Sequence, residues 1–414
     1  MDFKKRLSFF TLSSGFSQVL TLIAIIAISH LVSPSEAGVF YFILSVAALL
    51  LPFCVLRMDN ELAVGDSVLN IKNSFMESLV VAFSICSITC LLGILTILLR
   101  ESLTLKNLYV ICAIWTLTNI QILSTLLIAV GLRNREVTLI SSSSLFQNLT
   151  SSSLQITLAS AFPYSVSIFI GYLLGRFIGL KKLILAAGID LKVFYKTKID
   201  FAKSFSARRH LMFPGAIDAL FLMVPLVIIM NSGSFETMGV FGFAQSLILA
   251  PIAVISGALY STLFTRNQDK DSGPVTGVRT ESGNSIALVI RLIPVVLVIF
   301  CIEFIGGLVI FRSLIDYEWR MGEQIFFQLL APIMLQILTI PTNIYHWKYN
   351  LWNQYSLIIF FALIVSLILV SFALFVFELP LISCIGLFHL VKNIFLIPAL
   401  IWSVRVHAKY SEES

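Results

Sequence analysis

Long apolar blocks alternate with short polar ones along almost the whole chain. A helix needs about 20 apolar residues to cross the hydrocarbon of a bilayer. Twelve stretches meet that need, at about 11–32, 37–57, 76–99, 108–131, 137–160, 164–187, 211–231, 237–264, 285–311, 323–346, 354–377 and 380–404. The fifth, "VTLISSSSLFQNLTSSSLQITLAS", is the least apolar. Its serines predict a helix that faces other helices or water and not lipid.

Composition places these blocks in a membrane. The chain is 58% apolar and 12% charged, with a mean hydropathy of +0.96. A soluble domain is typically about 45–50% apolar and about 25% charged. The six cysteines (Cys54, Cys86, Cys90, Cys112, Cys301, Cys384) lie inside apolar runs without metal-ligand spacing, and read as small packing residues. The basic start "MDFKKRLSFF" is followed by no small-residue cleavage site, so the first stretch reads as a span and not as a removed signal peptide.

Charge then sets the topology. With the N-terminus in the cytoplasm, 21 Lys and Arg fall on the cytoplasmic side, while Arg100, Lys106, Arg312 and Arg320 fall outside. This asymmetry follows the positive-inside rule and predicts both termini in the cytoplasm. The net charge of +6 is therefore a topology signal and not a nucleic-acid footprint. The longest connection, "GIDLKVFYKTKIDFAKSFSARRH", is basic and lies at the midpoint. The domain reading is a six-helix bundle at 1–187, a cytoplasmic linker at 188–210 and a second six-helix bundle at 211–414.

The two halves also share a pattern. "SEAGVFYFILS" (35–45) returns as "ETMGVFGFAQS" (236–246), aligning Gly38, Val39, Phe40, Phe42 and Ser45 with Gly239, Val240, Phe241, Phe243 and Ser246. An even number of spans per repeat relates the halves by a pseudo-two-fold axis along the membrane normal. The expected fold is an all-α integral membrane protein of about twelve transmembrane helices in two six-helix bundles. The glycines are expected to close a tight outer hairpin after a short acidic turn (Glu36; Glu236). The alternative is a helix-turn pattern that apolar sequences repeat by chance.

The stretch "SHLVSPSEAGVFYFILSVAALLLPFCVLRMDNELAV" (29–64), with Arg57, Glu61 and Ala63-Val64 ending the element, resembles the start of bacterial O-antigen flippase-like proteins of the multidrug/oligosaccharidyl-lipid/polysaccharide (MOP) exporter superfamily. "FPGAIDALFLMVPLVIIM" with "GVFGFAQSLILAPIAVISGALYSTLF" (213–264) is similar to that family's second half. "EWRMGEQIFFQLLAPIMLQILTIPTN" (318–343) is similar to its late segment, with Trp319, Ala331 and Pro332 in place. One departure is His30, where many relatives carry arginine near the outer end of span 1. The resemblance implies a flippase of the bacterial inner membrane. It would pass a polyprenyl-diphosphate-linked oligosaccharide, such as an O-antigen or lipopolysaccharide repeat unit, to the outer leaflet by alternating access. It also implies polysaccharide polymerase machinery as a partner.

Charges inside spans are costly and usually face a cavity or a partner. Arg176 and Lys392 sit in the last helix of each half and would suit a diphosphate; the alternative is snorkelling to cytoplasmic headgroups. Asp218, near the start of span 7, is a candidate for a coupling cation or proton, or a helix-start carboxylate. Gln18 belongs to a polar face of span 1 with Ser14, Ser17 and Thr21. Glu303 is either a structural partner of Arg312 or a proton site. Arg57 and Glu61, four apart, read as a latch at the inner gate. His389, one turn before Lys392, and Asn148 are cavity candidates for sugar hydroxyls. Asn119, Gln121, Gln147 and Asn343 either share that role or link helices.

There is no Gly-rich nucleotide loop, no metal cluster and no catalytic set, so no cofactor and no enzyme activity is expected. Coupling to a proton or sodium gradient stays open. The alternative function is a cation-coupled multidrug exporter of the same superfamily, for which Asp218 and Glu303 would matter more than the cations. A membrane polymerase or ligase would need a sizeable outer loop, and the connections near 100–107 and 312–322 are short.

Overall fold

The computed structural model describes residues 3–56, 58–64, 71–100, 104–134, 136–189, 212–231, 234–266, 274–349, 351–377 and 379–413. Its helices are α1 (Phe3–Leu31), α2 (Pro34–Val55), α3 (Met58–Val64), α4 (Ile71–Arg100), α5 (Leu105–Arg133), α6 (Val137–Ala161) and α7 (Ser165–Ala187). Then come α8 (Met212–Asn231), α9 (Phe235–Arg266), α10 (Pro274–Val309), α11 (Met321–Met334), α12 (Ile340–Lys348), α13 (Trp352–Val376) and α14 (Leu381–Glu413). Each of the twelve apolar stretches coincides with a helix, the tenth with α11 and α12 together. Among the described residues, eight segments are long and apolar enough by themselves to cross a membrane. The serine-rich α6 is not one of them.

Helix ends follow local chemistry. Pro34 opens α2 at a position where its missing N–H costs nothing. Thr104 caps α5, its Oγ1 accepting from the Asn107 amide at 3.2 Å. Gly188 closes α7 in the left-handed conformation (φ 62°). Gly38 and Gly239 lie inside regular helix, and among the described residues Gly188 alone of the glycines has a positive φ. The expected hairpin role of Gly38 and Gly239 is thus corrected: Ser33 and Pro34 make the first turn, and both glycines are buried in helix packing.

The chain divides into two compact units, Val19–Leu226, and Val227–Ser414 together with Met1–Gln18. In the first, α6 lies along α7, and α5 packs on α2, α3, α4 and α7. Glu36, in the first turn of α2, reaches the start of α7: its Oε2 accepts from the Ser165 amide at 2.9 Å. A carboxylate there satisfies an orphan amide and faces the positive end of the helix dipole. The side chain of Asn134 caps the other end of α7, donating to the Ala187 carbonyl at 2.9 Å.

In the second unit α13 pairs with α14, and α11 packs on α9, α10 and α14. An aromatic cluster fills its core. The Phe243 ring lies 5.0 Å from that of Trp319 and 5.9 Å from that of Phe311, which in turn is 5.6 Å from Phe326. Between α11 and α12 the chain tightens to a 3₁₀ turn over Leu335–Thr339. Pro332 cannot donate to the carbonyl of Gln328. Gly386 approaches that carbonyl so closely that a Cβ there would sit 3.0 Å from it. Asn393, fully buried, donates to the Pro332 carbonyl at 2.7 Å. Both units are apolar on the outside: Leu91, Leu92, Leu95, Ile302, Ile305, Phe361 and Ile368 are exposed, as lipid-facing side chains are.

Candidate functional site

Within the first unit, α6 carries Ser143, Gln147, Ser151 and Gln155 at every fourth position, hence on one face. α7 answers with Gly171, Gly175 and Gly179, also four apart. Small residues at this spacing let two membrane helices approach closely. The approach is near enough that a Cβ at Gly171 would lie 2.6 Å from the Gln155 amide nitrogen. Hydroxyls and an amide then bridge the seam. Ser143 donates to the Gly179 carbonyl at 2.7 Å, Ser151 to the Tyr172 carbonyl at 3.1 Å, and Gln155 Nε2 to the Ile168 carbonyl at 3.4 Å. The serine-rich stretch therefore faces a partner helix, as expected from its composition.

Arg176 stands on this seam, 11 residues from either end of α7. At about 1.5 Å per residue it is about 16 Å from both helix ends, and its head folds back on the seam. Nη1 donates to Gln147 Oε1 at 3.1 Å, Nη2 donates to the Tyr172 hydroxyl at 2.7 Å, and the guanidinium lies 4.9 Å from the Tyr172 ring centre. The Tyr172 ring is itself held by Phe40, 5.7 Å away, one of the repeated phenylalanines. Arg176 makes no ion pair with a carboxylate among the described residues. Its Nε and the Nε2 of Gln147, both buried, have no partner. A half-buried cation thus sits beside two unused N–H donors and a hydroxyl whose own hydrogen is free to turn. This donor set suits an anionic group. Asn148 is half-buried on α6, and Lys182 of α7, one turn and a half beyond Arg176, lies 3.4 Å above the Phe146 ring.

The second unit holds Lys392 and His389 on α14. His389 is buried and neither ring nitrogen has a partner, and Lys392 is half-buried with a partner of its own. Gly386, His389 and Asn393 share the face of α14 that meets Gln328 and Pro332 of α11, where Gln328 Oε1 and Asn393 Oδ1 are also unpaired. Glu303 is half-buried on α10 and makes no hydrogen bond or ion pair with a described residue. Arg312 pairs with Glu323, Nε to Oε1 at 3.3 Å. The expected Glu303–Arg312 pair is therefore corrected: Glu323, in the first turn of α11, takes the arginine. Gln18 is half-buried on α1. Arg57 and the side chains of Glu61 and Asp218 lie outside the described residues, as does most of the 188–210 linker.

Sequence reasoning singled out Arg176 and Gln147 separately. It missed Tyr172 and the glycine spacing that joins them, although "GYLLGRFIG" carries that spacing openly. It also missed a buried histidine, His346, which is fully enclosed in the second unit. Among the described residues no group of His, Cys, Asp or Glu is arranged to hold a metal ion.

No protein-family model matches the chain, and no curated protein does. Solved structures do. An outward-facing multidrug resistance MATE family transporter of the MOP superfamily matches with a TM-score of 0.64 at 13% identity, over 100% of this chain and 98% of the other. An inward-facing transporter of the same description gives 0.55 at 13% identity, over 98% and 99%. A MOP superfamily transporter from Pyrococcus furiosus, described by the reverse polarity of its binding pocket, gives 0.56 at 11% identity, over 100% and 98%. At such identities the likeness establishes the fold. The chain is an all-α, multi-pass membrane protein of about twelve spans in two bundles, the fold of MATE-type transporters.

Proposed function

We propose that this chain is a secondary transporter of the bacterial inner membrane, with both termini in the cytoplasm, that exports an amphiphilic substrate by alternating access. The observation that carries this reading is the end-to-end likeness to both outward-facing and inward-facing MATE transporters. Those neighbours are multidrug transporters, which supports a gradient-coupled multidrug exporter over the lipid-linked oligosaccharide flippase. Efflux of ethidium from cells that lack their own main exporters tests it. Energised cells carrying the chain are expected to clear the dye faster than cells without it; equal rates refute the exporter.

One observation favours the second reading. Arg176 lacks a carboxylate partner among the described residues and stands beside free donors, which supports an anionic substrate such as a lipid diphosphate. In a deletion strain, a polyprenyl-diphosphate oligosaccharide is then expected to accumulate on the cytoplasmic leaflet. The wild-type gene should clear it, whereas Arg176→Gln should lower clearance at least tenfold, the worth of about one charge-assisted hydrogen bond. Full clearance by the variant refutes the anionic role.

A further inference from the structure

The second unit contains a hydrogen-bond chain built on His346 that the transport reading does not use. His346 lies on α12, the short helix that the 3₁₀ turn separates from α11, and is fully enclosed. Its Nδ1 is 2.7 Å from the Thr342 carbonyl, one turn back. Its Nε2 is 3.0 Å from Ser403 Oγ of α14, and Ser403 is 3.1 Å from Gln354 Oε1 of α13. Three helices therefore meet through one imidazole, one hydroxyl and one amide.

The proton count in this chain is constrained. A carbonyl only accepts, so Nδ1 carries a hydrogen whatever the charge of the ring. Nε2 is then the atom that gains or loses a proton. When Nε2 is bare it needs a donor, and the Ser403 hydroxyl must turn toward it. When Nε2 carries a hydrogen it donates to Ser403, and the hydroxyl hydrogen turns to Gln354 Oε1. One hydroxyl hydrogen cannot serve both neighbours. With Gln354 Oε1 turned to Ser403 the chain is satisfied for the charged ring. The neutral ring requires the amide of Gln354 to rotate and present its NH₂ instead. Gln354 is exposed and free to do so.

We propose that His346 is a proton-binding site of the second unit, exchanging its proton at Nε2, with Ser403 and Gln354 as the pair that responds to its charge. The inference deepens the transporter reading by naming the proton as the coupling ion, and it rests on that reading for its role in transport. Irregular breaks in membrane helices are where transporters place ion sites, and His346 lies on the short helix that such a break sets off, seven residues beyond Thr339. The described ionisable groups on the elements around α12 fit a site whose charge is its own. Tyr345 shares the helix and bonds His407 Nδ1 of α14 at 2.9 Å, and the Tyr355 ring of α13 is 5.9 Å from the His346 ring. Arg405 and Lys409 of α14 and Arg291 of α10 are exposed. The described carboxylates on these elements, Glu236 in the first turn of α9 and Glu303 near the end of α10, belong to the outer side of the predicted topology.

The test is a titration of the full-length chain in lipid nanodiscs with ¹⁵N-labelled histidine, His346 being assigned by its loss in His346→Gln. Between about pH 3 and pH 8, Nδ1 should stay protonated and Nε2 should change. Gln354→Glu, an acceptor only, should raise the midpoint by about one pH unit; Gln354→Leu, which removes the acceptor, should lower it. Both substitutions are at an exposed residue, so folding should hold. A His346 that keeps one protonation state across the range overturns the proposal, and so does a midpoint indifferent to both variants. Ethidium efflux separates the two inferences. A chain that titrates as stated but moves no dye refutes the exporter and leaves the proton site standing. An efflux rate whose pH dependence ignores a shifted midpoint overturns the coupling role.

Discussion

Gly171→Ala puts one methyl group into the α6–α7 seam. The new Cβ would sit 2.6 Å from the Gln155 nitrogen and 2.8 Å from its Cα, where ordinary contact begins at 3.4 Å. Both neighbours are backbone and cannot rotate away, so the helices must part by about 0.8 Å at that level. The bonds across the seam are short of room. The Gln155 bond, already 3.4 Å, breaks; the Ser151 bond goes from 3.1 Å to beyond hydrogen-bond range; the Ser143 bond, at 2.7 Å, stretches. At about 0.6 kcal/mol for each interhelical bond in a membrane, these losses come to about 1–2 kcal/mol. Overpacking adds about 1–3 kcal/mol. Alanine returns up to about 1 kcal/mol through its better helix propensity. The net expectation is a destabilisation of about 1–4 kcal/mol. The control is Gly93→Ala on α4, where a Cβ would meet nothing within 4 Å and only the propensity gain applies. Thermal unfolding of the two variants in the same detergent, followed by loss of monodisperse protein, should move in opposite directions from wild type. A Gly171→Ala variant that melts with wild type would refute the idea that glycine spacing sets the seam.

Two further substitutions test the packing. Glu36→Ala should cost about 1 kcal/mol by uncapping α7, and Glu36→Gln less, because it keeps the oxygen and loses only the charge; the gap between wild type and Glu36→Gln should narrow in high salt. Phe243→Ala should cost about 3–5 kcal/mol, since it empties the space between Trp319 and Phe311, and tryptophan emission should shift to the red as the cluster loosens.

The spans were legible because a bilayer imposes a length on every apolar helix, and no tertiary detail is needed to see it. The inward turn of α6 was legible from its serines for the same reason: lipid offers them nothing. What remained hidden depends on partners far apart in the chain. Glu36 reads as a residue in an acidic turn, yet its use is to cap a helix that starts 129 residues later. Arg312 lies nearer in sequence to Glu303 than to Glu323 by two residues only, and helix geometry decides between them: the chain reverses after Leu314, which brings the first turn of α11 back toward the arginine. The tenth span read as one helix, although Pro332 and Pro341 mark the break that the structure makes between Met334 and Ile340. The repeated "GVF-F" motif was legible as a repeat but not as two roles. Its first copy places Phe40 on Tyr172 under the Arg176 site, and its second places Phe243 in an aromatic core.

The seam itself argues for what Arg176 does. The α6 residues that bond across it, Ser143, Ser151 and Gln155, are neutral and enough to tie one helix to the other. A cation at the centre of a span costs about 2.5–3.5 kcal/mol on insertion scales, which a serine or glutamine would avoid. Glue alone therefore does not explain the charge. The guanidinium also does not complete the seam, since it leaves its own Nε and the Gln147 amide unpaired where a neutral residue would have left less to satisfy. A costly charge that makes no ion pair with a described carboxylate is the observation on which the proposed anionic substrate rests, and Arg176→Gln tests it. The stripe of small residues lets α6 and α7 approach, and the bonds to Gln147 and Tyr172 hold the cation in place.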